Sequence, residues 1–324
     1  MTTVAPTIEA VRALKQELGD GIVETPVVRC WSAEQKLGAD TRVWAKMEFL
    51  QQTGTFKARG ALAVILSLDE EQRRAGVTAV SAGNHAIATA FAAKVAGTSA
   101  KVVMLGSANP ARVAKCESYG AEVVIVDDIH GAFDVAEKIQ KREGRFFVHP
   151  FEGPHTFRGT ATIGLEVCEQ VPDMDAIIIQ IGGGGLCAGI SSAVKQLRPE
   201  VRVYGVEPVG ADSMRRSFAS GKPEPLEQVD TIADSLGAPF ALEQSFELCR
   251  DNVDELVVVD DDALKSSMGF LFRNMKVAVE PACAATTAAL LGPLADSVRG
   301  TTVVSIMCGS NIDWQTFAKH ADLA

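Results

Sequence analysis

Phe49-Leu50-Gln51-Gln52-Thr53-Gly54-Thr55-Phe56-Lys57-Ala58-Arg59-Gly60-Ala61 is the stretch on which the reading of this chain turns. A strand-like run, Val43 to Met47, ends just before it, and a helical pattern begins near Arg59. Between them Thr53-Gly54-Thr55 lets the backbone bend and offers N–H and hydroxyl groups to an anion. Lys57 falls where the loop becomes the helix. A positively polarised helix start, with Arg59 close in sequence, disfavours the ammonium form, and a lysine of lowered pKa is a good nucleophile toward an aldehyde. Read alone, the same stretch is equally a surface lysine opening a helix.

The pattern outward from this loop is that of an α/β protein. Ile8, Val11, Leu14 and Leu18 recur at helical spacing, so an amphipathic helix is expected over Thr7–Glu17. After Lys57, helices at Gly60–Ser67, Asn84–Ala96, Pro110–Tyr119 and Ala132–Arg142 alternate with strands at Val77–Ser81, Lys101–Leu105 and Glu122–Val126. The rhythm repeats with helices at Thr160–Gln170, Leu186–Leu197, Asp262–Met275 and Ala282–Leu290, and strands at Ala176–Ile181, Arg202–Glu207, Glu255–Val259 and Thr301–Met307. Continuous apolar strands such as Ala176–Ile181 indicate parallel sheets covered on both faces, with ligands outside the carboxyl ends of the strands. Two strand clusters with a break near His149-Pro150 predict two open parallel-sheet domains.

The chain's 324 residues and its 47% hydrophobic, 22% charged composition are those of a globular protein with a large core. A net charge of −10 leaves no basic footprint for nucleic acid or an anionic membrane. No apolar run approaches a membrane span, and Met1–Thr7 lacks the basic and apolar regions of a signal peptide. Seven scattered cysteines without a C-x-x-C suggest reduced thiols and a cytoplasmic setting. The five histidines show no metal-ligand spacing.

Three further stretches stand at expected strand ends. Ser81-Ala82-Gly83-Asn84-His85 can present backbone N–H groups to a carboxylate, and the Asn84 amide can donate to a phenolate-like oxygen. The plainer reading is a βα turn capped by Asn84, with His85 a core histidine. Gly182-Gly183-Gly184-Gly185-Leu186 can converge its N–H groups on a phosphate at a helix start. Gly183, Gly185 and Ala188 also satisfy the dinucleotide fingerprint, with Glu207 placed as its ribose-binding acid. By itself that segment favours a nicotinamide-dependent oxidoreductase. The lysine loop tips the balance, because such an enzyme has no use for an imine-forming lysine opposite the phosphate. The last stretch, Met307-Cys308-Gly309-Ser310-Asn311, ends the final strand, and Cys308 is also readable as a small buried hydrophobe.

Together these four stretches, in order, resemble the fold-type II pyridoxal-phosphate (PLP) enzymes, the tryptophan-synthase-β-like family, and within it the serine/threonine dehydratase and serine racemase branch. Val279-Glu280-Pro281-Ala282 and Thr231-Ile232-Ala233-Asp234 add to the match. The resemblance implies a Schiff base at Lys57, with the PLP phosphate on Gly182, Gly183, Gly184 and Gly185. It places Phe56, Asn84, Leu186, Glu280 and Cys308 around the cofactor, Asn84 at its 3-hydroxyl and Cys308 at its pyridine nitrogen. It also implies that Ser81, Ala82, Gly83, Asn84 and His85 hold the substrate carboxylate. A thiol does not retain a pyridinium proton as a carboxylate does, so the ring stays largely neutral, which favours elimination over a long-lived carbanion.

Racemisation needs a proton carrier on each face of the substrate α-carbon, whereas dehydration needs a base on one. Serine racemases usually carry a second Ser where this chain has Ala82, which bears no proton. The expected activity is therefore a PLP-dependent dehydratase (ammonia-lyase) for serine, threonine, 3-hydroxyaspartate or a bulkier β-hydroxy amino acid. Alternatives are a serine or other amino-acid racemase, a non-catalytic PLP-binding protein and the nicotinamide enzyme.

Residues 1–50 with 151–324 are expected to form the large PLP-binding domain and residues 51–150 a small substrate-gating one, in a homodimer. No C-terminal regulatory domain is expected after Asn311. Many relatives hold a divalent cation (Mg or Ca) on a Glu, a carbonyl and an Asp; here Glu207 and Ala211 remain, Ser213 replaces the second acid, and a metal stays open. Arg158 and Thr160 depart from the family pattern as well, and a solvated helix start is the expectation there.

Overall fold

The structure is a computed structural model describing residues 5–38 and 40–321, apart from the side chains of residues 129 and 130. The opening helix α1 (Ile8–Leu18) has Thr7 as its N-cap and buries Ile8, Val11, Leu14 and Leu18. After β1 (Val27–Arg29), α2 (Trp31–Leu37) and β2 (Arg42–Lys46), the chain enters α3 (Lys57–Leu66) and α4 (Glu70–Ala75). Next come β3 (Val77–Val80), α5 (Asn84–Val95), β4 (Ala100–Leu105), α6 (Pro110–Ser118), β5 (Glu122–Val126), α7 (Ile129–Glu143) and β6 (Phe146–Phe147). The chain then forms α8 (Pro154–Gln170), β7 (Ala176–Gln180), α9 (Gly185–Leu197), β8 (Arg202–Pro208) and α10 (Ser213–Ser220). It finishes with α11 (Glu243–Asn252), β9 (Glu255–Val259), α12 (Asp261–Met275), α13 (Pro281–Leu291), β10 (Thr302–Ile306) and α14 (Trp314–His320).

These strands form two sheets, ordered β1-β2-β10-β7-β8-β9 and β5-β4-β3-β6. Every pairing is parallel except β1 with β2, a three-residue antiparallel edge that sits outside the parallel expectation. The central strands β7 and β10 are buried along their whole length, which is why their sequences are mainly apolar and do not alternate with charged residues. Each sheet has its own core, one around Ile177, Ile179, Val203 and Val304, the other around Ile65, Ile87, Val102 and Met104.

One expectation about helix boundaries is corrected. Helix α8 starts at Pro154 and runs through Arg158 and Thr160, so these are not a solvated helix start. Thr160 is buried and donates its hydroxyl to the carbonyl of Gly185 at 2.8 Å, packing α8 beneath the glycine loop.

Where α3 meets the larger sheet, Arg59 lies fully buried between Glu48 and Glu166. Its Nε donates to Glu48 at 2.8 Å and its Nη1 to Glu166 at 2.7 Å, while Lys46 donates to Glu166 at 2.5 Å. These two cations and two carboxylates satisfy one another out of water and fix the first turn of α3 to β2 and α8.

Candidate active site

The lysine loop reaches its place because it is stitched to the end of β10. Thr55 and Gly309 form an antiparallel bridge, Phe56 N–H donates to Cys308 O at 3.0 Å, and Ser310 N–H donates to Gly54 O at 3.0 Å. Gly54 has φ +79°, and a Cβ there would lie 2.4 Å from Asn311 Oδ1, so the close approach requires glycine. Lys57 is thereby the first residue of α3, and its amine donates to the carbonyl of Pro150 at 2.5 Å. Burial lowers the Lys57 amine to about 8, against a smaller opposing pull from the Glu280 carboxylate. Arg59 has no part in this shift, contrary to the sequence expectation, because its charge is committed to Glu48 and Glu166.

Facing the amine is the glycine turn between β7 and α9. A Cβ on Gly183 would lie 2.3 Å from the Phe151 ring, and one on Gly185 2.2 Å from the Phe151 carbonyl. Gly184, at φ +91°, is the N-cap of α9, so the first-turn N–H groups of that helix open toward the turn without helical partners.

Phe56, Lys57, Asn84, Gly182–Gly185, Leu186, Glu280 and Cys308 line one cavity. Within it Asn84 donates to Glu280 at 2.8 and 3.1 Å and accepts from Asn311 at 2.8 Å. Burial raises the Glu280 carboxyl above its ordinary value, the Asn84 bond opposing it. Burial, with Cys283 alongside, raises the Cys308 thiol well above its ordinary value, so it stays protonated and uncharged.

The neighbouring cleft is lined by Lys57 and Ser81–His85, with Arg112 and Phe151 also on its walls. Gly83 caps α5, leaving the first-turn amides from Asn84 onward as anion donors, while Ser81 Oγ accepts from Gly83 N–H at 3.1 Å. Asn84 is therefore the first helical residue rather than the cap. His85 bonds the Val148 carbonyl at 2.8 Å, and burial, reinforced by Lys57, lowers it to about 3. The ring is neutral and offers the turn no charge.

Glu207, Ala211 and Ser213 line neither cavity. Both Glu207 oxygens accept backbone N–H groups of α10, from Met214 at 2.9 Å and Arg215 at 2.8 Å. This acid caps a helix, which removes the ribose-binding role that the dinucleotide reading needs. Asp212 pairs with Arg215 and Arg216. A hard cation wants several free oxygen ligands, and one carboxylate already holding two N–H bonds beside two guanidinium groups does not fit it. Among the described residues, no group of three or more His, Cys, Asp or Glu side chains is placed to hold a metal ion.

Sequence reasoning missed the aromatic wall. His149 and Phe151 meet edge to face at 4.7 Å, and Phe240 lies 6.5 Å beyond Phe151. The His149-Pro150-Phe151 run marked only a domain break in the sequence, yet it carries the carbonyl that holds Lys57 and a ring shared by both cavities.

A desolvated lysine amine lining the same cavity as a glycine turn at a helix start suits an aldehyde cofactor that carries an anionic group. The comparison that decides the family is a match to the pyridoxal-phosphate dependent enzyme family over residues 18–309. The chain belongs to that family. Of its relatives, phenylserine dehydratase of Ralstonia pickettii is 51% identical over 322 residues, covering 99% of this chain and 98% of the relative. L-threonine ammonia-lyase of Thermotoga maritima is 37% identical over 308 residues, covering 95% of this chain and 76% of the relative. The structure of maize serine racemase superposes with a TM-score of 0.91 at 35% identity, covering 98% of this chain and 100% of that one. The two parallel-sheet layers are thus those of a fold-type II pyridoxal-phosphate enzyme, and the cavity with its amine and glycine cradle fits that cofactor.

Proposed function

We propose that the chain is a dehydratase of β-hydroxy amino acids that gives a keto acid and ammonia, and that its preferred substrate carries an aromatic ring on the β-carbon. The observation carrying this reading is the convergence of the Lys57 amine, the Ser81–His85 turn and the Phe151 ring on one cleft. The 51% identity to a phenylserine dehydratase supports the aromatic preference.

Gly182–Gly185 would hold the cofactor phosphate with N–H groups, Asn84 its phenolic oxygen and Cys308 its ring nitrogen, with Phe56, Leu186 and Glu280 around it. When bound, pyridoxal phosphate supplies an electron-withdrawing system that acidifies the substrate Cα–H. Lys57, with an amine near 8, is suited to take that proton close to neutral pH. Cys308, an uncharged thiol that holds its proton tightly, would not stabilise a protonated ring nitrogen as a carboxylate would, which would favour elimination over other outcomes. The released enamine hydrolyses to keto acid and ammonia. Amides of the Ser81–His85 turn would hold the carboxylate, and Phe151, which His149 meets edge to face, would offer its ring to the aromatic group of the substrate. Ala82 carries no proton for the opposite face, which argues against a racemase.

The same reading takes residues 1–50 with 151–324 as the large domain and 51–150 as the small one. All seven cysteines are free thiols, which supports a cytoplasmic setting, and among the described residues no helix is long and apolar enough to cross a membrane. For the homodimer, exposed Trp31 and Trp314 offer apolar surface.

The test is a panel of phenylserine, threonine, serine and 3-hydroxyaspartate, each assayed for keto acid and for enantiomer. Phenylserine should lead in kcat/KM, and Phe151→Ala should cut that value roughly ten- to hundredfold more than it cuts the value for threonine. Failure to form keto acid from any of the four would refute the dehydratase reading, and unchanged selectivity in the Phe151 variant would refute the aromatic one.

A further inference from the structure

Arg112, on α6, reaches across the cleft between the two sheet layers. Its Nη1 donates to Asp234 Oδ2 at 2.8 Å, and its Nε and Nη2 donate to the carbonyl of Asn311 at 3.3 and 3.0 Å. That accounts for three of a guanidinium's five N–H donors and leaves two. The group lies directly on the carboxylate turn, since a Cβ added to Gly83 would sit 2.9 Å from Nη1. The side chain is 16% exposed, so its charge is little screened by water.

Charge singles out this residue. A protein of net charge −10 repels an amino-acid carboxylate, and the amides of the turn carry only partial charges. Among the residues lining the cleft, Lys57 and Arg112 are the lysine and arginine, and His85 is held neutral by burial and the nearby Lys57. With Lys57 committed to the cofactor, Arg112 remains as the permanent cation at the turn. Asp234, with its side chain 56% exposed, and the Asn311 carbonyl orient the guanidinium and leave it free to face a second anion.

We infer that Arg112 is the specificity-determining cation for the substrate α-carboxylate, held over the Ser81–Gly83 turn by Asp234 and Asn311. The inference rests on the proposal that this turn receives the carboxylate. It predicts a preference for free amino acids over their carboxamides that depends on Arg112. It also predicts that the ion pair to Asp234 tunes this preference without contributing to proton transfer.

The experiment compares wild-type holoenzyme with Arg112→Ala, Arg112→Lys and Asp234→Asn. Each is assayed on phenylserine and phenylserinamide, with binding followed separately by the change in cofactor absorbance as the unreactive acid phenylalanine is titrated in. Arg112→Ala should raise KM and the phenylalanine dissociation constant roughly ten- to hundredfold, with kcat on phenylserine changed less than about threefold. The acid-to-amide ratio of kcat/KM should collapse with it, while Lys should restore part of that ratio. A purely structural role would lower both substrates equally and leave the ratio intact, and that result overturns the inference, as does a wild-type phenylalanine affinity in Arg112→Ala. Should Arg112→Ala not fold, Arg112→Gln, which keeps N–H donors for Asp234 and Asn311 without the charge, decides the matter: its acid-to-amide ratio should fall, and a ratio equal to wild type refutes the inference. A wild type that dehydrates nothing defeats the functional reading itself, whereas an active wild type with an unchanged Arg112 variant defeats only this inference.

Discussion

Phe56 donates its backbone N–H to the carbonyl of Cys308 at 3.0 Å, so the residue before the lysine is fastened to the residue proposed to face the cofactor nitrogen. Two ends of the cofactor cavity, far apart in sequence, are thereby held at a fixed separation by main chain alone. The Thr55–Gly309 bridge and the Ser310–Gly54 bond repeat the stitch on either side. Side-chain changes at Cys308 should therefore alter chemistry without moving Lys57.

Replacing Arg59 tests how firmly α3 is anchored. Removing one member of a buried charge cluster leaves uncompensated charge, at a cost of about 3–5 kcal/mol. Arg59→Met should lower stability to urea by about that amount, because Glu48 and Glu166 lose their shared partner. The double variant Arg59→Met with Glu48→Gln should recover part of the loss. Equilibrium unfolding followed by circular dichroism measures both.

The acid limb of stability should carry a histidine signature. Burial, reinforced by Lys57, lowers His149 to about 4, and its Nδ1 accepts N–H bonds from Phe151 at 3.3 Å and Glu152 at 3.0 Å. Between the folded value and the ordinary one near 6.5, the unfolded chain binds more protons, so stability rises with pH across that window and is lost on acidification. His149→Asn, which keeps an acceptor without the titration, should make the dependence between about pH 4 and 6.5 shallower, leaving the share that buried His85 contributes. Melting temperatures of both proteins across that range provide the check, and equal slopes would contradict it.

Ala82→Ser should bring a hydroxyl to the cleft wall opposite the proposed base. Racemisation of serine, measured by chiral chromatography, should rise at least about tenfold over wild type, since positioned proton carriers contribute at least that much. No gain would mean that the second face is closed for another reason.

Much of the site was legible because glycines, asparagine and lysine mark strand-to-helix junctions, where backbone N–H groups and helix dipoles are available. Gly182–Leu186 and Ser81–His85 are such junctions, and largely continuous apolar stretches alternating with helical patterns located β7 and β10. The capping box at Asp69–Gln72 was also a readable signal for α4, though that helix was not anticipated. Short helices such as α2, α10 and α14 were not anticipated either, since two turns give an apolar stripe too brief to detect. Glu207 was misleading because its position fits a fingerprint, and only the helix after it shows that the carboxylate is spent on a cap. Arg112, Phe151 and the partners of Arg59 depend on contacts between distant segments, which spacing within one segment does not encode.

The most direct test of the account is borohydride reduction of the yellow holoenzyme, followed by proteolysis and mass spectrometry. The account predicts a phosphopyridoxyl adduct on the peptide containing Lys57, and none at that position in Lys57→Ala. An adduct confined to another lysine, or a wild-type protein that takes up no pyridoxal phosphate, would contradict it.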